Sequence, residues 1–356
     1  MKEPKKITTR KTWRKKVTVS LFLALIQGCS IKNDGPFTAR TWDWQPDEQS
    51  ATSKSPIPYA EFALPNRVAS SFATATRSDT VLEGASFDRA GGLVFSDVKG
   101  RRLLRMDSRG QVDTLASFAR GNPGGTAIHR DGRIYVALIT DQYTSGSIVA
   151  VSPDGREQHI IIGPEQGFVP NDLVFDVAGG FYFTDFRGNS TSPAGGVYYV
   201  SPDGSAVTPV LLHLSLANGV ALSPNGRTLW VTEYGRNLLH KIKLDTATTI
   251  APLGTSVPYR FTGAGPDSMR IDSEGNVYVA MMEQGRVMVF APNGVPVSQV
   301  LLPQRDAGLN LESASLALSP DSKGLYIVAG GGGSGLGTSI FESEGLARGL
   351  KLFSHN

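Results

Sequence analysis

The chain has 356 residues, enough for one large core or two medium ones, with 40 glycines, 21 prolines and a single cysteine. Glycine and proline spread along the whole length imply many tight turns between short elements, as in an all-β protein. The net charge is +3, but eight basic side chains against Glu3 concentrate +7 in residues 1–16, leaving about −4 elsewhere; a nucleic-acid-binding surface therefore loses its support.

The basic leader runs into an apolar stretch, Val17 to Ile26, too short to span a bilayer as a stable helix. That order is expected of a secretory signal. It ends in Ile26-Gln27-Gly28-Cys29, which resembles the bacterial lipobox, although Gln27 is unusual at its position and leaves ordinary cleavage open. Cys29 is the only cysteine of the chain, so it is expected to accept a lipid rather than form a disulfide. The expected protein is exported, periplasmic or at the cell surface, with its N-terminal lipid in the membrane. Residues 1–29 are the signal, 30–65 a polar, Pro-rich tether without period, and 66–356 the folded domain.

From residue 83 onward one phrase recurs: an apolar residue, a turn with glycine, then a β-rich strand. Its anchors are Phe87, Ile128, Phe175, Leu222, Ile271 and Leu318, at steps of 41, 47, 47, 49 and 47. Six strand–turn–strand units at about 40–50 residues predict a six-bladed β-propeller, each blade a four-stranded antiparallel sheet. The gaps are too short and too rich in glycine and proline for the crossover helices of a parallel sheet.

Four residues before the anchors stand Glu83, Gly124, Asn171, Asn218, Asp267 and Ala314. In a propeller this position rings one end of the central channel. Glu, Asn, Asn and Asp offer oxygen donors with a charge of −2, and neither histidine nor thiol joins them, which favours a hard cation such as Ca²⁺. Gly124 and Ala314 are expected to leave space for substrate or water. The bland alternative is that these polar residues only close turns, as Asn and Asp often do.

The sequence here resembles the SMP-30/gluconolactonase/luciferin-regenerating family, and within it the drug-responsive lactonases. The resembling segments include Leu82-Glu83-Gly84, Gly179-Gly180-Phe181-Tyr182-Phe183-Thr184-Asp185, Ala217-Asn218-Gly219 and Gly265-Pro266-Asp267-Ser268. The resemblance implies a calcium-dependent hydrolysis of lactones at a metal in the channel. It places Glu83, Asn218 and Asp267 on the family's metal ligands, with Ser268 as a further contact. Asn171 falls where the drug-responsive lactonases carry aspartate and other members carry asparagine, a difference that bears on substrate choice. A second, structural calcium is implied near residues 144–146 and 163–168, but Gly163 stands where an acidic ligand belongs, so that site is not carried over.

Asp267 is the expected general base, or a nucleophile in a variant route. Asp185 has two open readings, orienting a ligand amide or serving a hydrogen bond inside its blade. The five histidines show no paired metal spacing. The glycine tract from Gly330 contains a trivial GxGxxG match with no helix after it, and is expected to be a loop. No G-x-S-x-G elbow occurs. Two other functions suit the same donors, a phosphotriester hydrolase of the diisopropyl fluorophosphatase type and a non-catalytic ligand-binding propeller. The partner expected is a small lactone, and the sequence does not set the oligomeric state.

Overall fold

The computed structural model describes residues 53–331, 335 and 337–355. The leader, Cys29, most of the tether and part of the glycine tract lie outside the described residues.

Six sheets form the propeller, each with its first strand innermost, and these first strands adjoin one another around the channel. They are Leu82–Phe87, Asn122–Ile128, Pro170–Phe175, Ala217–Leu222, Pro266–Ile271 and Glu312–Leu318. Each anchor of the repeat is the last residue of one of them. The second strands are Leu93–Asp97, Ile134–Ile139, Phe181–Asp185, Thr228–Glu233, Val277–Met281 and Gly324–Gly330. Their outer neighbours are progressively more exposed, ending in strands such as Gln158–Ile162, mostly open to solvent.

The ring closes in a way the repeat does not reveal. Ser70–Thr76, ahead of the first blade, is the outermost strand of the sixth, antiparallel to Thr338–Glu344. Asn66–Val68 adds a fifth, parallel strand to the outer edge of the fifth blade, beside Pro296–Leu301. Each sheet is apolar on both faces, so the core is divided. Six buried clusters each join two neighbouring blades, for example Phe183, Phe175 and Ile148 between the second and third, and Trp230, Met269 and Phe290 between the fourth and fifth.

The span read as a tether is firmly held at its end. Glu61, in a short 3-10 turn at Tyr59–Glu61, is buried and forms an ion pair with Arg286 at 2.6 Å. Tyr259 Oη donates to Glu61 Oε1 at 2.5 Å, and Gln299 Nε2 donates to Glu61 O at 3.2 Å. Arg305 donates to the carbonyl and hydroxyl of Ser55. Residues 53–65 are thus part of the folded domain, because burying the Arg286 guanidinium requires a counter-charge, and among the described residues Glu61 supplies it.

One end of the channel is shut. The six anchors surround a small cavity of about 50 Å³ covered by Leu350, Leu352 and Phe353 of the C-terminal segment. Phe353 stacks on Phe175 at 5.4 Å, and Arg89 Nε donates to Ser354 O at 2.6 Å.

Candidate functional site

The other end of the channel opens into a cavity of about 550 Å³ lined by Glu83, Gly124, Asn171, Asn218 and Asp267. Four oxygen-bearing side chains from four blades therefore meet in one space. Ala314 is fully buried and does not line it, so the expected opening on that side is absent, while Gly124 does leave its side clear. Ser268 sits behind the ring, where its hydroxyl donates to Glu83 Oε2 at 3.2 Å.

Local backbone explains the aim of these side chains. Every innermost strand carries a β-bulge at or beside the ring position: Glu83/Ser86, Pro123/Thr126, Pro170/Leu173, Ala217/Val220, Pro266/Met269 and Ser313/Ser315. A bulge breaks alternation and re-aims a side chain. The residue after the ring position must also be small where two blades touch: a Cβ on Gly84 would lie 2.4 Å from Gly124 O, and one on Gly219 2.6 Å from Asp267 O. Hydroxyls on three of the second strands then fix the ring carbonyl of the next blade. Ser96 Oγ donates to Gly124 O at 2.7 Å, Thr184 Oγ1 to Asn218 O at 2.5 Å and Thr232 Oγ1 to Asp267 O at 2.8 Å.

The electrostatics of the ring are those of a site short of positive charge. Asn171 Oδ1, Asn218 Oδ1 and Asp267 Oδ1 are buried without a hydrogen-bond partner, an arrangement that costs free energy unless something accepts those lone pairs. Burial pushes the Asp267 carboxyl up to about 7, with Asn218 holding it down and the Asp172 charge adding to the rise. Burial, then the charges of Asp267 and Asp172, push Glu83 well above the usual carboxylate range. The donor set is all oxygen and fits a hard divalent cation. Among the described residues no cluster of three or more His, Cys, Asp or Glu could hold a metal, so two amides are essential to any such site.

The rest of the cavity is mostly apolar and aromatic. Phe186 lies between Tyr143 and Tyr234, with ring centroids 6.4 and 6.1 Å away. Tyr143 and Leu216, both at the lining, have φ of 55° and 52°, a left-handed conformation costly for bulky residues and typical of functional rims. Sequence reasoning missed these residues, because loop shape decides which of them reach the cavity. Asp185 resolves as blade-internal: its Oδ1 accepts Val169 N–H at 2.9 Å and its Oδ2 pairs with Arg187 at 2.5 Å. Near residues 163–168, the Glu165 carboxylate folds over Gly163.

A family model described as the SMP-30/gluconolactonase/LRE-like region matches residues 81–330. The chain belongs to that family. Its match takes in the first five blades and the first two strands of the sixth. A curated relative, lactonase drp35 of Staphylococcus saprophyticus, is 43% identical over 305 residues, spanning 85% of this chain and 94% of the relative. Lactonase drp35 of Staphylococcus aureus strain MW2 is 41% identical over 309 residues, spanning 85% and 95%. Among solved structures, a calcium-binding protein, regucalcin, from Agrobacterium tumefaciens superposes with a TM-score of 0.65 at 17% identity, covering 80% of this chain and 98% of that one. A gluconolactonase from Xanthomonas campestris gives 0.61 at 22% identity, covering 76% and 87%. At such identities the two structures speak for the family's propeller fold alone.

Proposed function

We propose that this protein is a calcium-dependent hydrolase that opens lactone rings in the channel-mouth cavity. The reading is carried by one observation: four oxygen donors from four blades line a single cavity, three of them buried without a partner, in a chain 43% identical to a curated lactonase. Glu83, Asn171, Asn218 and Asp267 would hold the cation, with Ser268 steadying Glu83 through its hydroxyl. A bound divalent cation supplies Lewis-acid polarisation of the lactone carbonyl.

The chain's own groups do the rest. Asp267 accepts a proton from a water as the water oxygen bonds to the carbonyl carbon. The ring C–O bond then breaks, and that proton passes to the departing ring oxygen, leaving a hydroxy acid. Asn218 keeps the carboxylate oriented, and the apolar walls around Phe186 and Tyr234 limit bulk water near the reacting atoms.

Purified protein is expected to hydrolyse an aromatic lactone, lose that activity in EDTA and regain it with calcium. Turnover unaffected by chelation rejects the metal assignment. A fluorophosphate assayed alongside tests the phosphotriesterase reading, and tight calcium binding without turnover of either substrate makes the protein a binding propeller.

A pH effect follows from the raised carboxyl. In chelator, Asp267 has a folded pKa of about 7 against an ordinary value of 3.8. Its contribution to stability is full below the lower value and lost as pH rises through the upper one. Asp131 and Asp203, each held at about 2, are ionised across this range. His355, held below its ordinary value by burial, works against the trend, while Glu83, Asp172 and Asp185, all raised by burial, work with it. The melting temperature in EDTA is therefore expected to fall between pH 5 and pH 8, and saturating calcium to remove most of that fall. A metal-free melting temperature that is flat or rising over the interval contradicts the assignment.

A further inference from the structure

The four strands that carry the ring donors meet again just below them, at a buried ion pair that the reaction scheme does not use. Arg270 follows Asp267 by three residues on the same strand. Its Nη1 donates to Asp172 Oδ2 at 3.2 Å and to Met269 O at 2.7 Å, and its Nη2 donates to Ala85 O at 3.1 Å. Asp172, directly after Asn171, accepts Leu173 N–H on Oδ1 at 2.9 Å and Val220 N–H on Oδ2 at 3.5 Å. Arg270 is 8% exposed and Asp172 fully buried.

These contacts coincide with the donors in sequence. Ala85 lies two residues after Glu83, Asp172 one after Asn171, Val220 two after Asn218, and Met269 two after Asp267. One guanidinium–carboxylate pair therefore touches every strand that supplies a donor, within two residues of the donor itself. The innermost strands of a propeller belong to separate sheets, so no ladder of backbone hydrogen bonds fixes their mutual distance. Interblade hydroxyl bonds and apolar packing link neighbouring blades, and side chains crossing the channel add a link among strands that are not neighbours. Arg270 is suited to this, because its planar fork holds several acceptors at fixed angles. Its charge has a second effect: it offsets part of the Asp172 charge, which Glu83 and Asp267 still feel.

We propose that Arg270, paired with Asp172, is a positioning residue that holds the four donors at the spacing a divalent cation needs. This inference rests on the metal-site reading given under Proposed function.

The test is ion binding by the full chain, measured by calcium calorimetry and by Tb³⁺ luminescence, with thermal unfolding recorded in EDTA and in calcium. R270M is expected to bind either ion about 10- to 100-fold more weakly, the range seen when groups that orient metal ligands are removed. It should also lose most of the calcium-induced rise in melting temperature. R270K, which keeps the charge without the fork, should fall between R270M and the parent chain. The double variant D172N/R270M removes the carboxylate left unpaired in R270M. It is expected to recover stability in EDTA but not ion affinity, and it carries the comparison if R270M fails to fold. Parental affinity in R270M, or in the double variant, overturns the proposal and reduces the pair to a structural brace. In that case melting temperatures drop equally with and without calcium. A parent chain that binds neither calcium nor Tb³⁺ overturns the metal-site reading, and this inference with it. Unchanged affinity in the variants alone leaves that reading standing.

Discussion

Asp267→Asn is expected to lower kcat for lactone hydrolysis by about 10³-fold or more while leaving the fold intact. General-base catalysis by a positioned side chain contributes roughly 10²–10⁴-fold, and the amide cannot accept the proton at all. The substitution preserves the shape of a side chain that is buried with one oxygen unpartnered. It also removes one of the two negative charges in the ring, so calcium affinity should fall as well. Assays at saturating calcium therefore separate the two effects. If Asp267 only holds the cation, kcat recovers as calcium is raised. If it is the base, the loss persists when calorimetry shows the site filled. Near-parental kcat at saturation removes Asp267 from the role of base.

Glu61→Ala should destabilise the protein by about 3–5 kcal/mol, the range found when one partner of a buried ion pair is deleted. Arg286 is fully buried, and among the described residues its guanidinium has, besides Glu61, only the neutral side-chain oxygens of Gln284 and Gln299 as partners. Removing Glu61 leaves the guanidinium without a counter-ion and Tyr259 Oη without its acceptor. The measurement is the urea midpoint, with the m-value checked for an unchanged unfolding transition. A loss below about 1 kcal/mol would mean that Arg286 is solvated in some other way and that residues 53–65 are dispensable to the domain. Glu61→Gln retains the hydrogen-bonding shape and should cost less than alanine.

Much of the blade architecture was legible because its signals are local. Glycine turns follow each innermost strand, and the anchors Phe87, Ile128, Phe175, Leu222, Ile271 and Leu318 end those strands. A fixed offset from such anchors is a fixed height in the channel, so Glu83, Asn171, Asn218 and Asp267 could be placed in one ring without coordinates. The misses share a cause in distance or in broken period. Ser70–Thr76 is polar and half-exposed, with a partner far along the chain. Glu61 meets Arg286 across 225 positions. Asp172 lies within a bulge and Arg270 just after one, where counting by twos assigns a side chain to the wrong face. The aromatic rim escaped because loops of irregular backbone carry Tyr143, Phe186 and Tyr234.

The closure through Ser70–Thr76 also sets an order of events at the ribosome. Thr76 pairs with Thr338, so this strand is made 262 positions before its neighbour exists. At about 5–20 residues per second that is a wait of roughly 13–50 s. Throughout it, a hydrogen-bonding edge at each end of the growing arc stands open to other chains. The circle can join, and the cavity take its final width, only once Thr338–Glu344 is available, after Glu83, Asn171, Asn218 and Asp267 have all been made.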